Sequence, residues 1–133
     1  MTRAEFNELP MLLLEHQVVA ATGYAQNTLR KLVDCRVLEV VKPKGATKAR
    51  YRKQQVGRLI GVPEGEWLPG VVRVLRGGPL LMGVKTARVI TGYSAYVLAQ
   101  MAKERSLSVV RPAGLSELKF RTAEIAELCG VRV

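Results

Sequence analysis

The chain repeats itself, and no other feature limits its fold so strongly. Thr22-Gly23-Tyr24 returns as Thr91-Gly92-Tyr93, and an offset of 69 pairs residues 10–62 with 79–131 without a gap. Sixteen of those 53 pairs are identical, among them Pro10/Pro79, Leu29/Leu98, Arg36/Arg105, Pro43/Pro112, Gly45/Gly114, Arg52/Arg121 and Gly61/Gly130. Unrelated segments would match at roughly 6–7% of positions. A shared amphipathic pattern would not align glycines and prolines in one register, so each copy reads as one structural unit. The chain then divides into a first unit with a short lead (residues 1–62), a connector (63–78) and a second unit (79–133).

The connector carries Pro63, Gly65, Pro69, Gly70, Gly77 and Gly78, the punctuation of a link between units. Trp67, Leu68, Val71, Val72, Val74 and Leu75 make it too apolar to lie in water. Val71–Leu75 is therefore expected to pack as a short strand or turn, with Trp67 as a core plug, the alternative being a base-stacking platform.

Within the first unit, residues 15–22 read as a short helix closed by Gly23, a residue suited to a left-handed turn. A second helix is expected over Gln26–Cys35, with Leu29 and Leu32 facing Val18 and Val19. The β-branched run Val37–Lys42 reads as a strand, Pro43-Lys44-Gly45 as a turn, and Ala49–Arg52 as the return strand. Gln54–Ile60 reads as a third helix, with Val56, Leu59 and Ile60 inward. The second unit follows suit: helix Val84–Ile90, turn Gly92, a helix capped by Ser94 and running to Glu104, strands Leu107–Arg111 and Leu118–Arg121, and a last helix capped by Thr122. Two short helices, a two-stranded wing and a third helix, made twice, give a mostly α fold with small β wings (α+β), a tandem winged helix-turn-helix.

Gly23-Tyr24-Ala25-Gln26-Asn27-Thr28-Leu29-Arg30 resembles the MerR-type and excisionase-type winged-helix family, where a turn glycine precedes Thr-Leu-Arg at the recognition helix. Arg50-Tyr51-Arg52, followed by Val56 and Leu59, resembles that family's wing-to-helix segment. The likeness covers the first unit. The second follows it more loosely, with Val97-Leu98-Ala99 and Lys119-Phe120-Arg121 at the matching places. The family's long dimerisation helix and cysteine effector site have no counterpart, so the resemblance implies DNA binding without metal or drug sensing.

Charge agrees with that implication. There are 21 Lys+Arg against 11 Asp+Glu, a net charge of +10, in a chain that is 48% hydrophobic and so suited to a core. Such a field selects polyanions, nucleic acid first. No apolar run reaches the roughly 18 residues of a membrane span, and Glu5 and Glu8 are unlike a secretory leader. Two cysteines and one histidine provide neither a disulfide framework nor a metal site. No paired carboxylates, phosphate-cradling loop or nucleophile–base pair is visible, so neither an enzyme nor a cofactor is expected. His16 reads as a surface residue, Cys35 and Cys129 as small hydrophobes at helix ends, and Tyr24 and Tyr93 as core.

The densest cationic stretch is the first wing, where Lys42, Lys44, Lys48, Arg50, Arg52 and Lys53 occur with no acid among them. These are expected to grip phosphates, the alternative being a solvated loop. Gln26, Asn27, Thr28, Arg30 and Lys31 stand at the exposed start of the second helix, the part a recognition helix presents to base edges; the alternative is ordinary surface polarity. Matching positions in the second unit, Ser94, Tyr96, Gln100, Arg111, Lys119 and Arg121, are less cationic. That unit is expected to read weakly, to touch backbone only, or to dock a protein. Arg36 and Arg105 suit either a shared DNA contact or a shared ion pair.

The expected protein is a cytoplasmic, nucleoid-associated binder of double-stranded DNA, a transcriptional regulator or an excision or recombination accessory factor of a phage or mobile element. The alternative is an adaptor whose first unit holds DNA while the second docks a recombinase, polymerase or packaging protein. No membrane partner is expected, and the chain should be a monomer with an internal pseudo-dimer or a weak homo-oligomer. Adjacent major-groove entries lie about 34 Å apart, so either the connector is extended or the units pack closely on bent DNA.

Overall fold

A computed structural model describes residues 1–66 and 69–132. Its order is α1 (Arg3–Asn7), β1 (Leu12–Leu13), α2 (Glu15–Thr22), α3 (Gln26–Asp34), β2 (Val40–Val41), β3 (Arg50–Arg52) and α4 (Lys53–Ile60). A 3₁₀ turn at Glu64–Glu66 leads to α5 (Pro69–Gly77), β4 (Leu81–Gly83), α6 (Val84–Thr91), α7 (Ala95–Lys103), β5 (Val109–Val110), β6 (Lys119–Arg121) and α8 (Thr122–Cys129). The fold is α+β, with eight α-helices and two small antiparallel sheets among the described residues. None of these helices is long and apolar enough to cross a membrane.

Both halves have one topology. The sheet orders are β1-β3-β2 and β4-β6-β5, so each hairpin gains a third strand from the segment before the first helix of its unit. That strand is absent from the sequence reading, which gave each wing two strands. Leu12 pairs with Arg52 and Leu81 with Arg121, 69 positions on. The hairpin strands are shorter than expected, as Val37–Glu39 and Leu107–Ser108 lie outside the ladders.

The connector also differs. Pro69–Gly77 is a helix where a strand or turn was expected over Val71–Leu75. Val71, Val74 and Leu75 recur at three- and four-residue spacing, which places them on one helical face, and Leu75 is buried. Shifted by 69, residues 72–76 fall on α1, and Leu75 falls on the buried Phe6. Lead and connector helix are thus one element made twice. Trp67, expected as a core plug, lies outside the described residues.

Local chemistry fixes the helix ends. Gly23 and Gly92 close α2 and α6 at φ +77° and +81°, where a Cβ would crowd the next carbonyl. Ser94 caps α7, its Oγ accepting from the Val97 N–H at 3.2 Å. Thr122 was expected to cap α8. Instead Arg121 holds the cap position, and the Thr122 hydroxyl donates to the Pro79 carbonyl at 2.7 Å. Arg36 and Arg105 end α3 and α7 in the left-handed region (φ +61° and +63°), and the next amide returns to Leu32 O or Met101 O. Neither is ion-paired among the described residues.

The core is continuous through both halves. Val18, Leu29, Leu38, Tyr51 and Val56 fill the first; Ala87, Leu98, Leu107, Phe120 and Ile125 fill the second. Cys129 and Tyr93 are buried as expected. Cys35 and Tyr24, expected to be buried likewise, are exposed.

Candidate nucleic-acid interface

The start of α3 forms a polar face. Its first turn holds no acid, Gln26, Asn27, Arg30 and Lys31 are exposed, and Thr28 is half-buried beside the inward Leu29. Glu15 on α2 reaches the Gln26 amide at 3.4 Å, a weak restraint on that side chain. The base of the wing adjoins this face: Gln26, Lys48 and Ala49 line one shallow concavity with His16 and Tyr51. Burial raises the Tyr51 phenol above its usual pKa; Glu15 adds to the shift and Arg30 opposes it.

The wing cations separate into two groups. Lys42, Lys44 and Lys48 are exposed, and among the described residues neither they nor Arg30 and Lys31 have a carboxylate partner. Arg50, Arg52 and Lys53 were expected on phosphates and stand elsewhere. The Arg50 guanidinium lies 4.7 Å from the centroid of the Tyr93 ring and donates to Leu12 O at 3.2 Å. Arg52 pairs with Glu39 and donates to Leu128 O (3.4 Å) near the C-terminal end of α8, where the helix dipole favours a cation. Lys53 is fully buried and donates to the carbonyls of Asn7 (3.0 Å) and Leu9 (2.7 Å), above the Phe6 ring. Burial lowers its ammonium pKa to about 7. Burial lowers that of Arg50 too, and raises the Tyr93 and Cys129 groups to about 12.

Arg50 and Arg52 join the two units, whereas Lys53 ties α4 to the lead of its own unit. Strand β3 turns Tyr51 towards its own helices and Arg50 and Arg52 towards the second unit. The Met11 N–H donates to Ile90 O at 2.8 Å, and Pro10 packs against Gly92. The wing tip is docked as well: Ser106 Oγ donates to Lys44 O at 2.6 Å, and a Cβ on Gly45 would lie 2.7 Å from the Gln100–Met101 backbone. The first wing therefore lies between α3 and α7. Among the described residues the units pack directly on one another, and the connector is helical over Pro69–Gly77.

In the second unit, Ser94 and Tyr96 are exposed at the start of α7, while Gln100 is half-buried under the first wing. Arg111 is exposed. Lys119 pairs with Glu117 at 3.2 Å, and Arg121 lies 3.9 Å from Glu124. The weaker cationic character read in this half is thus compounded by local pairing with acids. Among the described residues, no group of His, Cys, Asp and Glu is arranged to hold a metal ion.

The junction residues Pro10, Met11, Tyr93 and Ser106 were not singled out as functional. Pro10/Pro79 and Tyr24/Tyr93 carried a signal, since both pairs are identical in the two copies. Comparison with protein-family models, curated proteins and solved structures finds no match to the chain.

Proposed function

We propose that the chain is a tandem winged helix-turn-helix protein that binds double-stranded DNA. α3 would lie in the major groove, the first wing on the backbone, and α7 at the next position along one surface. The observation that carries this reading is the group Arg30, Lys31, Lys42, Lys44 and Lys48: five exposed cations on adjoining elements, without carboxylate partners among the described residues. Surface lysines and arginines of a small fold are commonly interspersed with acids, as Lys119 and Arg121 are here. An unneutralised group beside a helix start bearing Gln26 and Asn27 suits phosphate contact with base readout. A cytoplasmic regulator or an excision or recombination accessory factor fits this chemistry, and the reading includes no catalysis.

Exposed Tyr96, on a helix face with no cation in its first two turns, favours a second reading in which α7 docks a protein. Selection from a random duplex pool, followed by footprinting, tests both. A selected site with contacts under α3 and α7 supports two readers. A footprint confined to α3 and the first wing supports the adaptor, and no duplex affinity at 50 mM salt refutes DNA binding.

A further inference from the structure

The junction between the units is head-to-tail. One face of the first unit (Pro10, Met11, Arg50, Arg52 and the wing tip at Gly45) meets a different face of the second (Ile90, Gly92, Tyr93, the Gln100–Met101 backbone and the end of α8). Because the units are copies, each carries both faces. Hence one face of each kind is left open: the wing-side face of the second unit and the helix-side face of the first.

Side chains on the open faces match those already joined. Pro79 stands for Pro10, Lys119 for Arg50, Arg121 for Arg52 and Gly114 for Gly45; opposite them, Gly23 stands for Gly92 and Tyr24 for Tyr93. Exposure records what is missing. Met11 is 0% exposed and its counterpart Leu80 is 84%; Tyr93 is 3% exposed and Tyr24 42%. A Cβ at Gly92 would meet Pro10 at 2.7 Å and one at Gly45 the α7 backbone, whereas nothing lies within 4 Å of one at Gly23 or Gly114. Tyr24 and Leu80 are large, exposed and apolar in their own unit, and both would be covered by repeating the internal contact.

We infer that the wing-side face of the second unit docks on the helix-side face of the first unit of another copy, so that chains associate head to tail. Lys119 then lies over Tyr24 as Arg50 lies over Tyr93, a cation–π contact on both sides. Helix α5 adjoins Ile90 and leaves the face around it able to receive the first unit. Its counterpart α1 lines a concavity with Ala21, and the open face is accessible at Tyr24 and Gly23. Contact between chains is the weaker of the two, because Arg58 stands where Glu127 does and Val37 where Ser106 does. A heterologous contact of this kind has no internal two-fold axis, so it continues as a series unless the rotation closes a ring.

Sedimentation velocity of the full chain, without DNA, tests this. The mean mass should climb above 14.6 kDa between about 10 μM and 1 mM, the range of weak contacts. Leu80→Glu and Tyr24→Glu should each remain monomeric over that range, with unchanged circular dichroism; Tyr24→Ala should weaken association at least about tenfold. An equimolar mixture of the two glutamate variants should stop at the dimer, since each retains the face the other lacks. A wild-type chain that stays monomeric to 1 mM overturns the inference. So does association lost in Leu80→Glu but intact in Tyr24→Glu, which would mean a symmetric Leu80 contact.

Discussion

Replacing Lys42, Lys44 and Lys48 together by glutamine should flatten the salt dependence of duplex binding, and the structure sets the amount. Each phosphate contacted by a cation contributes about 0.9 to the slope of log affinity against log salt. With one phosphate each for Arg30, Lys31, Lys42, Lys44 and Lys48, the slope should be near −4.5, a loss of roughly 500-fold between 50 and 200 mM salt. Removing three leaves about −1.8, a loss of roughly 12-fold. The variant should thus be about 40-fold less salt-sensitive than wild type over that range, whatever the second unit adds to both. Fluorescence anisotropy on a labelled random-sequence duplex measures this, since phosphate contacts need no cognate site. The companion variant is Arg50→Gln with Arg52→Gln. These side chains hold the units together, so the slope should change by less than one phosphate. The melting temperature should instead fall by about 5–10 °C, from the loss of roughly 2 kcal/mol of charge-assisted bonding and ring contact. If the arginine pair flattens the slope as much as the lysine triple, the division of the wing cations is wrong.

Two further outcomes concern stability. Lys53 has a pKa of about 7 in the folded chain against an ordinary 10.5. Between those values the unfolded chain binds more protons than the folded one, so the free energy of unfolding should rise with pH. From pH 7 to 8.5 the gain is up to about 2 kcal/mol at 1.36 per unit. Urea unfolding should show it in wild type and not in Lys53→Met, and a flat or falling wild-type curve contradicts it. Gly45→Ala meets both a φ of +96° and the α7 backbone, whereas Gly114→Ala meets a φ of +87° and open space. Thermal melts should place the Gly114 variant about 1 kcal/mol below wild type, the cost of the backbone alone, and the Gly45 variant well below that. Equal losses would mean that the wing tip is not docked.

The repeat made most of the architecture legible, because glycines and prolines in one register can only be structural. Helices α2, α3, α6 and α7 follow from apolar spacing and the turn glycines Gly23 and Gly92. What escaped depended on contacts between segments distant in the chain, those between the copies included. Arg50 and Arg52 alternate with Tyr51, and such alternation ordinarily marks a strand with one wet face; here the second unit covers that face. Lys53 resembles its wing neighbours in sequence, yet it is the first residue of α4 and turns inward to carbonyls that only the fold brings near. Leu12–Leu13 is too short for any periodicity to declare it a strand. The α3 face was readable, since its residues owe their exposure to their own helix.

The head-to-tail junction also gives the molecule a direction. A protein whose halves are related by a two-fold axis lies on a duplex equally well either way round, and its site is an inverted repeat. Here α3 and α7 belong to units that follow one another in the same sense. On the duplex proposed above, they would meet half-sites arranged as a direct repeat. Such a site has a front and a back, so the bound chain would present the Gly23-Tyr24 turn towards one flank and the second wing towards the other.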